Sequence, residues 1–179
     1  MSLPLTFLDT KLIQSALVGP DGAVHYTLTS THGLMRRKSE TTISAASGLT
    51  GVIYWTEKTF EINGVQRRWD DIESRVGGLL NREHEWDWAG RPYTLKYQDR
   101  HRELLAVPKF AQNSSGVVRF TPYHRRGLRG GDPAVIYFPF EMQDEFERMF
   151  LLMAVLKTEV KRQDAQAAVH GAARLGRGT

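Results

Sequence analysis

From Pro4 to about Phe140 the apolar residues come in short runs, several with strict two-residue alternation, separated by turn-forming residues. Alternation of that period predicts strands with one buried face. Leu5–Leu8 and Ile13–Val18 come first, and Gly19-Pro20-Asp21-Gly22 then forms a turn in which Pro presets φ and Gly accepts a positive one. Val24–Thr29, Thr41–Ile43, Gly51–Trp55 and Thr59–Ile62 read as further strands, the last two joined in a hairpin through Thr56-Glu57-Lys58. Asn63-Gly64 is a tight-turn pair. Trp69–Val76 is weakly helical and stops at Gly77-Gly78. Glu83–Trp88 alternates strictly, Ala89–Pro92 turns, and Tyr93–Tyr97, Leu104–Val107, Val117–Tyr123 and Ala134–Phe140 complete the series.

The pattern then changes. Met149–Leu156 is apolar without a break, so a helix here is apolar round its whole circumference. Asp144, Glu145 and Glu147 precede it and Lys157, Lys161 and Arg162 follow, with Glu159 out of place; acid before base suits a helix dipole. No Gly or Pro interrupts 141–163. A membrane span needs roughly 20 apolar residues, so this run must be buried by protein. Many short antiparallel strands and one wholly apolar terminal helix predict a mainly β (α+β) domain, a closed antiparallel β-barrel around that helix. Closure removes the sheet edges, whereas a sandwich would cover only one side of the helix. The expected organisation is a single domain over 1–163, with a core helix at about 142–163 and a small, polar, flexible tail over 164–179.

Composition changes this picture little. The 179 residues include no cysteine, which excludes disulfides and Cys-ligated metal and fits a reducing compartment. No signal peptide is read in Met1–Leu17, whose apolar run Asp9 and Lys11 break, and the sequon Asn113-Ser114-Ser115 would be silent in a cytosolic protein. The net charge of +4 leaves an acidic partner open without requiring one.

Several features occur in a recognisable order. They are Gly-Val-Ile-Tyr-Trp at 51–55, Phe-Glu-Ile-Asn-Gly at 60–64, a strand leading to Gly-Arg-Pro-Tyr by 93, Leu-Leu-Ala-Val at 104–107, and the apolar helix. Over roughly 4–163 this resembles an uncharacterised fungal domain family of the tubby C-terminal-like fold, grouped with LURP-one-related proteins and phospholipid scramblases. The resemblance implies a twelve-stranded barrel around a hydrophobic helix. Tubby-like relatives suggest phosphoinositide or membrane-surface binding, but fold alone does not fix function.

Two groups of residues carry candidate chemistry. Arg36, Arg37 and Lys38 stand at a strand boundary, and Arg125, Arg126 and Arg129 lie in a glycine-rich loop, where backbone N–H groups and guanidinium forks can approach an anion. Were both at one barrel end they would form an anion site; at opposite ends they are solvated charges. His84, Trp86 and Trp88 share one strand face and offer an alternative pocket, although aromatics at that spacing more often pack on a core. Glu83, Glu85 and Asp87, on the other face, read as solvated.

His25, His32, His101 and His124 have no ligand spacing, so no metal or other cofactor is expected. No catalytic motif is found, and aromatics are not interleaved with the basic clusters as nucleic-acid binding would need. The expected function is a non-enzymatic module for an anionic lipid headgroup or membrane surface. The alternatives are an enzyme or small-molecule binder with a pocket at a barrel mouth, and a protein–protein interaction module. The expected location is cytoplasmic, with a peripheral membrane contact where the lipid reading holds.

Overall fold

The computed structural model describes residues 2–33, 38–76, 83–98, 103–110, 116–125 and 131–175, with backbone only at 125 and 170–175. Among these residues the protein is mainly β, built on one antiparallel sheet of thirteen strands and a long C-terminal helix. In chain order the elements are β1 (Ser2–Phe7), β2 (Ala16–Val18), β3 (Val24–His32), β4 (Lys38–Ala45), β5 (Thr50–Tyr54), β6 (Thr59–Ile62) and β7 (Val65–Arg68). A short helix α1 (Trp69–Ile72) leads to β8 (Glu73–Val76), β9 (Glu83–Trp86), β10 (Tyr93–Gln98), β11 (Glu103–Pro108) and β12 (Val118–Thr121). A two-stranded ribbon of β13 (His124–Arg125) and β14 (Gly131–Asp132) precedes β15 (Val135–Pro139) and α2 (Glu145–Leu175).

The sheet order is β7-β6-β5-β4-β3-β2-β1-β15-β12-β11-β10-β9-β8. No β7–β8 ladder closes it, so those strands are its hydrogen-bonded edges. They are also neighbours in the chain, separated only by the four residues of α1. Every ladder is antiparallel and the strand number is odd, so β7 and β8 run in the same direction. The Trp69 N–H donates to Lys58 O (2.8 Å), extending the β6–β7 pairing, and the Asp87 N–H donates to Ile72 O (2.9 Å), extending β8–β9.

The turn chemistry read from sequence is borne out at Asn63-Gly64. Both residues have positive φ (50° and 82°), and Ile62 pairs directly with Val65. Three segments depart from the sequence reading. The helical signal of Trp69–Val76 covers only α1, and its second half is strand β8. β7 gave no signal, because all four of its side chains are exposed and no alternation marks a strand without a buried face. The strand expected over Ile13–Val18 is confined to Ala16–Val18, because Ser30 Oγ donates to Ile13 O (2.6 Å) where a ladder bond would form.

The helix is wrapped as its composition requires. Met149 through Leu156 are all buried, none above 3% exposure. Asp144 caps it, accepting from the N–H groups of Phe146 (3.0 Å) and Glu147 (3.4 Å). β5 passes so close that a Cβ on Gly51 would stand 2.8 Å from Met149 Sδ and 3.0 Å from Met153 Sδ. Instead of ending near 163, α2 continues to Leu175, since Ala165–Ala168 supply good helix formers.

Candidate functional site

α2 runs alongside β10 in the same direction. The Tyr93 O–H donates to Glu147 Oε1 (2.7 Å), and the Tyr97 O–H donates to Glu159 Oε2 (3.0 Å) three turns later. β3, β10 and β12 are co-directional, so His32, Gln98 and Thr121, their last residues, stand at the end of the sheet from which α2 emerges.

That relationship bears on the basic clusters. Arg36 and Arg37 follow β3, and Arg126 and Arg129 follow β13; all four lie outside the described residues. Arg125 is placed by its backbone alone, paired with Gly131 in the ribbon after β12. Lys38 opens β4 and is not free, since Asp164 takes it at 2.6 Å through both carboxylate oxygens. Between two partly exposed groups such a pair contributes little.

The alternative trio divides. Trp86 is fully buried and stacked on Phe60, with centroids 5.5 Å apart and rings inclined by 13°. Trp88 packs on Phe146 and Phe150 at 5.9 and 5.7 Å. Both tryptophans line the core rather than a cavity. His84 alone reaches solvent, and its Nδ1 lies 3.0 Å from Glu73 Oε1 without meeting it as a hydrogen bond.

Around His84 the fold assembles a cluster that sequence reasoning missed. Lys157 belongs to the last buried stretch of α2, with its side chain 3% exposed, and it donates to Glu73 Oε2 from β8. Its ammonium lies 5.1 Å from the Trp69 ring centroid and 4.7 Å from that of Trp86. Lys161, one helical turn on, lies 4.9 Å from Trp69, while Lys38 lies 6.0 Å from Trp55. Trp55 meets Trp69 edge-on at 6.1 Å. Three lysines are thus interleaved with three tryptophans from β4 inward to β9. Burial pushes the Lys157 amine down to about 8, with Glu73 opposing the shift. Burial also lowers His84, against Glu73, with Lys157 adding to the lowering.

Glu159, the acid at the basic end of the helix, is fully buried and well satisfied. Besides Tyr97 it accepts from Arg162 Nε (2.7 Å), from an Arg162 terminal nitrogen (2.6 Å) and from Gln163 Nε2 (2.9 Å). Its place out of charge order was the one sequence signal that pointed to it. For Lys157 there was none, since a lysine after an apolar run reads as its solvated end.

A shallow depression of about 300 Å³ lies on the outer face of the sheet, where Arg119 stacks on Tyr137 beside Gln98 and Glu103. Among the described residues no group of three or more His, Asp or Glu is placed to hold a metal ion, and no helix is long and apolar enough to cross a membrane. Comparison with protein-family models, with curated proteins and with solved structures finds no match.

Proposed function

We propose that this chain is a non-enzymatic binding module that meets an anionic lipid headgroup or membrane surface at the end of the sheet from which α2 emerges. One observation carries the reading: β3 and β12 run in the same direction, so the strands leading into the two basic segments finish at the same end. Arg36, Arg37 and Lys38 belong to one segment, and Arg125, Arg126 and Arg129 to the other. A basic residue at an anionic surface contributes roughly 1 kcal/mol, so the five arginines acting together, with Lys38 held by Asp164, suffice for peripheral attachment without any insertion. The interior offers less, because α2 fills it with side chains.

The proposal extends to the fold. Residues 65–76 act as one strand interrupted by a helical turn, pairing with β6 over their first half and β9 over their second. Counted once, this strand makes a twelve-stranded barrel around a hydrophobic helix, the arrangement that the resemblance to the tubby C-terminal-like family implies. Vesicle co-sedimentation across a salt series tests the function. Phosphatidylserine and phosphoinositide vesicles should carry the protein down at low salt and release it as salt rises, and neutral vesicles should not. Equal sedimentation with all three compositions would refute the reading.

A further inference from the structure

Two opposite charges, Arg119 on β12 and Glu103 on β11, line the same depression of about 300 Å³ on the outer face of the sheet. Strand alternation puts them there: Leu104, Ala106, Val118 and Phe120 are buried, so Glu103, Leu105 and Arg119 face outward. Arg119 stands directly opposite Leu105 in the β11–β12 ladder, which makes Glu103 its diagonal neighbour. Diagonal neighbours stand about 7–8 Å apart. Across that gap the two side chains form no ion pair, and each is held by another group. The guanidinium lies over the Tyr137 ring, 4.7 Å from its centroid, and the Thr121 hydroxyl donates to Glu103 Oε1 (3.1 Å). The ring face supports Arg119 without using its N–H donors, and the Thr121 bond orients the carboxylate without neutralising it. Leu105 and Val117 give the same depression an apolar part.

We propose that this depression is a binding site for a small amino acid with an apolar side chain, its carboxylate on Arg119 and its ammonium on Glu103. A guanidinium fork matches a carboxylate in a bidentate way, and an ammonium donates readily to a carboxylate. A ligand of one sign is attracted by one of the two side chains and repelled by the other, whereas a zwitterion is attracted by both. It spans the gap that the pair leaves open. Leu105 and Val117 favour an aliphatic side chain over a polar one. The volume suits a single small molecule, at the lower end of the range for ligand pockets. The site uses none of the residues at 36–38 or 125–129, so it stands whether or not the protein meets vesicles.

Titration of ¹⁵N-labelled protein with L-leucine tests the site. Backbone amides at 103–105 and 117–119 should shift saturably. Leucinamide lacks the carboxylate and isocaproate lacks the ammonium, and each should bind about tenfold or more weakly. Arg119→Gln and Glu103→Gln change side chains outside the core, so amides away from the depression should keep their positions. Each variant should also lose leucine affinity about tenfold or more. Their selectivities should differ: Arg119→Gln should no longer prefer leucine over leucinamide, and Glu103→Gln should no longer prefer it over isocaproate. No saturable shift with leucine, equal affinity for all three compounds, or unchanged binding in both variants would overturn the site.

Discussion

Phe60 and Trp86 stack face to face although their strands, β6 and β9, each lie second from an opposite edge of the sheet. This contact and the residues 65–76 that link the two edges curl thirteen strands round α2. Both side chains are fully buried, so truncating either to alanine should cost about 3–5 kcal/mol. The double variant should lose less than the sum, because each ring supports the other. Urea denaturation of the four proteins measures the coupling, and strict additivity would argue against the stack.

Lys157 and Glu73 form a buried ion pair between α2 and β8. Removing one charge leaves the other stranded, so Glu73→Gln should destabilise the fold by about 3 kcal/mol. Adding Lys157→Met should recover most of that loss, since two neutral groups replace two desolvated charges. A double variant no more stable than Glu73→Gln alone would contradict this account of the pair.

A pH dependence follows from the same lysine. Because burial lowers Lys157 to about 8 from 10.5, the folded protein binds fewer protons than the unfolded chain between these values, and stability from this group rises with pH across that window. Burial raises Tyr26 to about 12, with Glu145 adding to it. Tyr93 and Tyr97 are also raised by burial, with Glu147 and Glu159 respectively adding to it. The unfolded chain therefore loses these phenol protons first, and stability falls above about pH 10. Thermal melts should pass through a maximum between about pH 9 and 10, and Lys157→Met should remove the rising limb. A melting temperature that falls steadily from pH 7 in the wild type would be inconsistent with the buried amine.

Gly51 marks the closest approach of sheet to helix. An alanine there presses on Met149 and Met153, flexible side chains that can yield in part, so Gly51→Ala should cost about 1–3 kcal/mol. Combining it with Met149→Leu, which removes the nearest sulfur, should relieve some of that cost. Chemical denaturation compares the three proteins.

What could be read in the sequence, and what could not, follows from where each residue meets solvent. α2 was legible because eight unbroken apolar residues between sorted charges leave one physical solution, burial on every side. The paired strands were legible wherever one face is buried, as in Val24–Thr29 and Tyr93–Tyr97. β7 was not, because Val-Gln-Arg-Arg is exposed along its length and is placed by its ladder to β6 rather than by a buried face. The Lys157 cluster joins residues 69, 73, 84, 86, 157 and 161, which lie on α1, two strands and α2. No local spacing records their meeting, and only the curl of the sheet brings them together.

The central claim places membrane contact at the α2 exit end, and vesicle binding by end-specific variants tests it most directly. Arg36→Ala/Arg37→Ala and Arg125→Ala/Arg126→Ala each remove two charges from that end. Arg91→Ala/Lys109→Ala removes two from the opposite end, where Arg91 pairs with Asp144 and Glu147 and Lys109 with Glu85. With phosphoinositide vesicles at low salt, the first two variants should each bind roughly thirtyfold more weakly, from about 1 kcal/mol per residue, and the third should bind like wild type. Equal losses in all three variants, or none in any, would contradict the account.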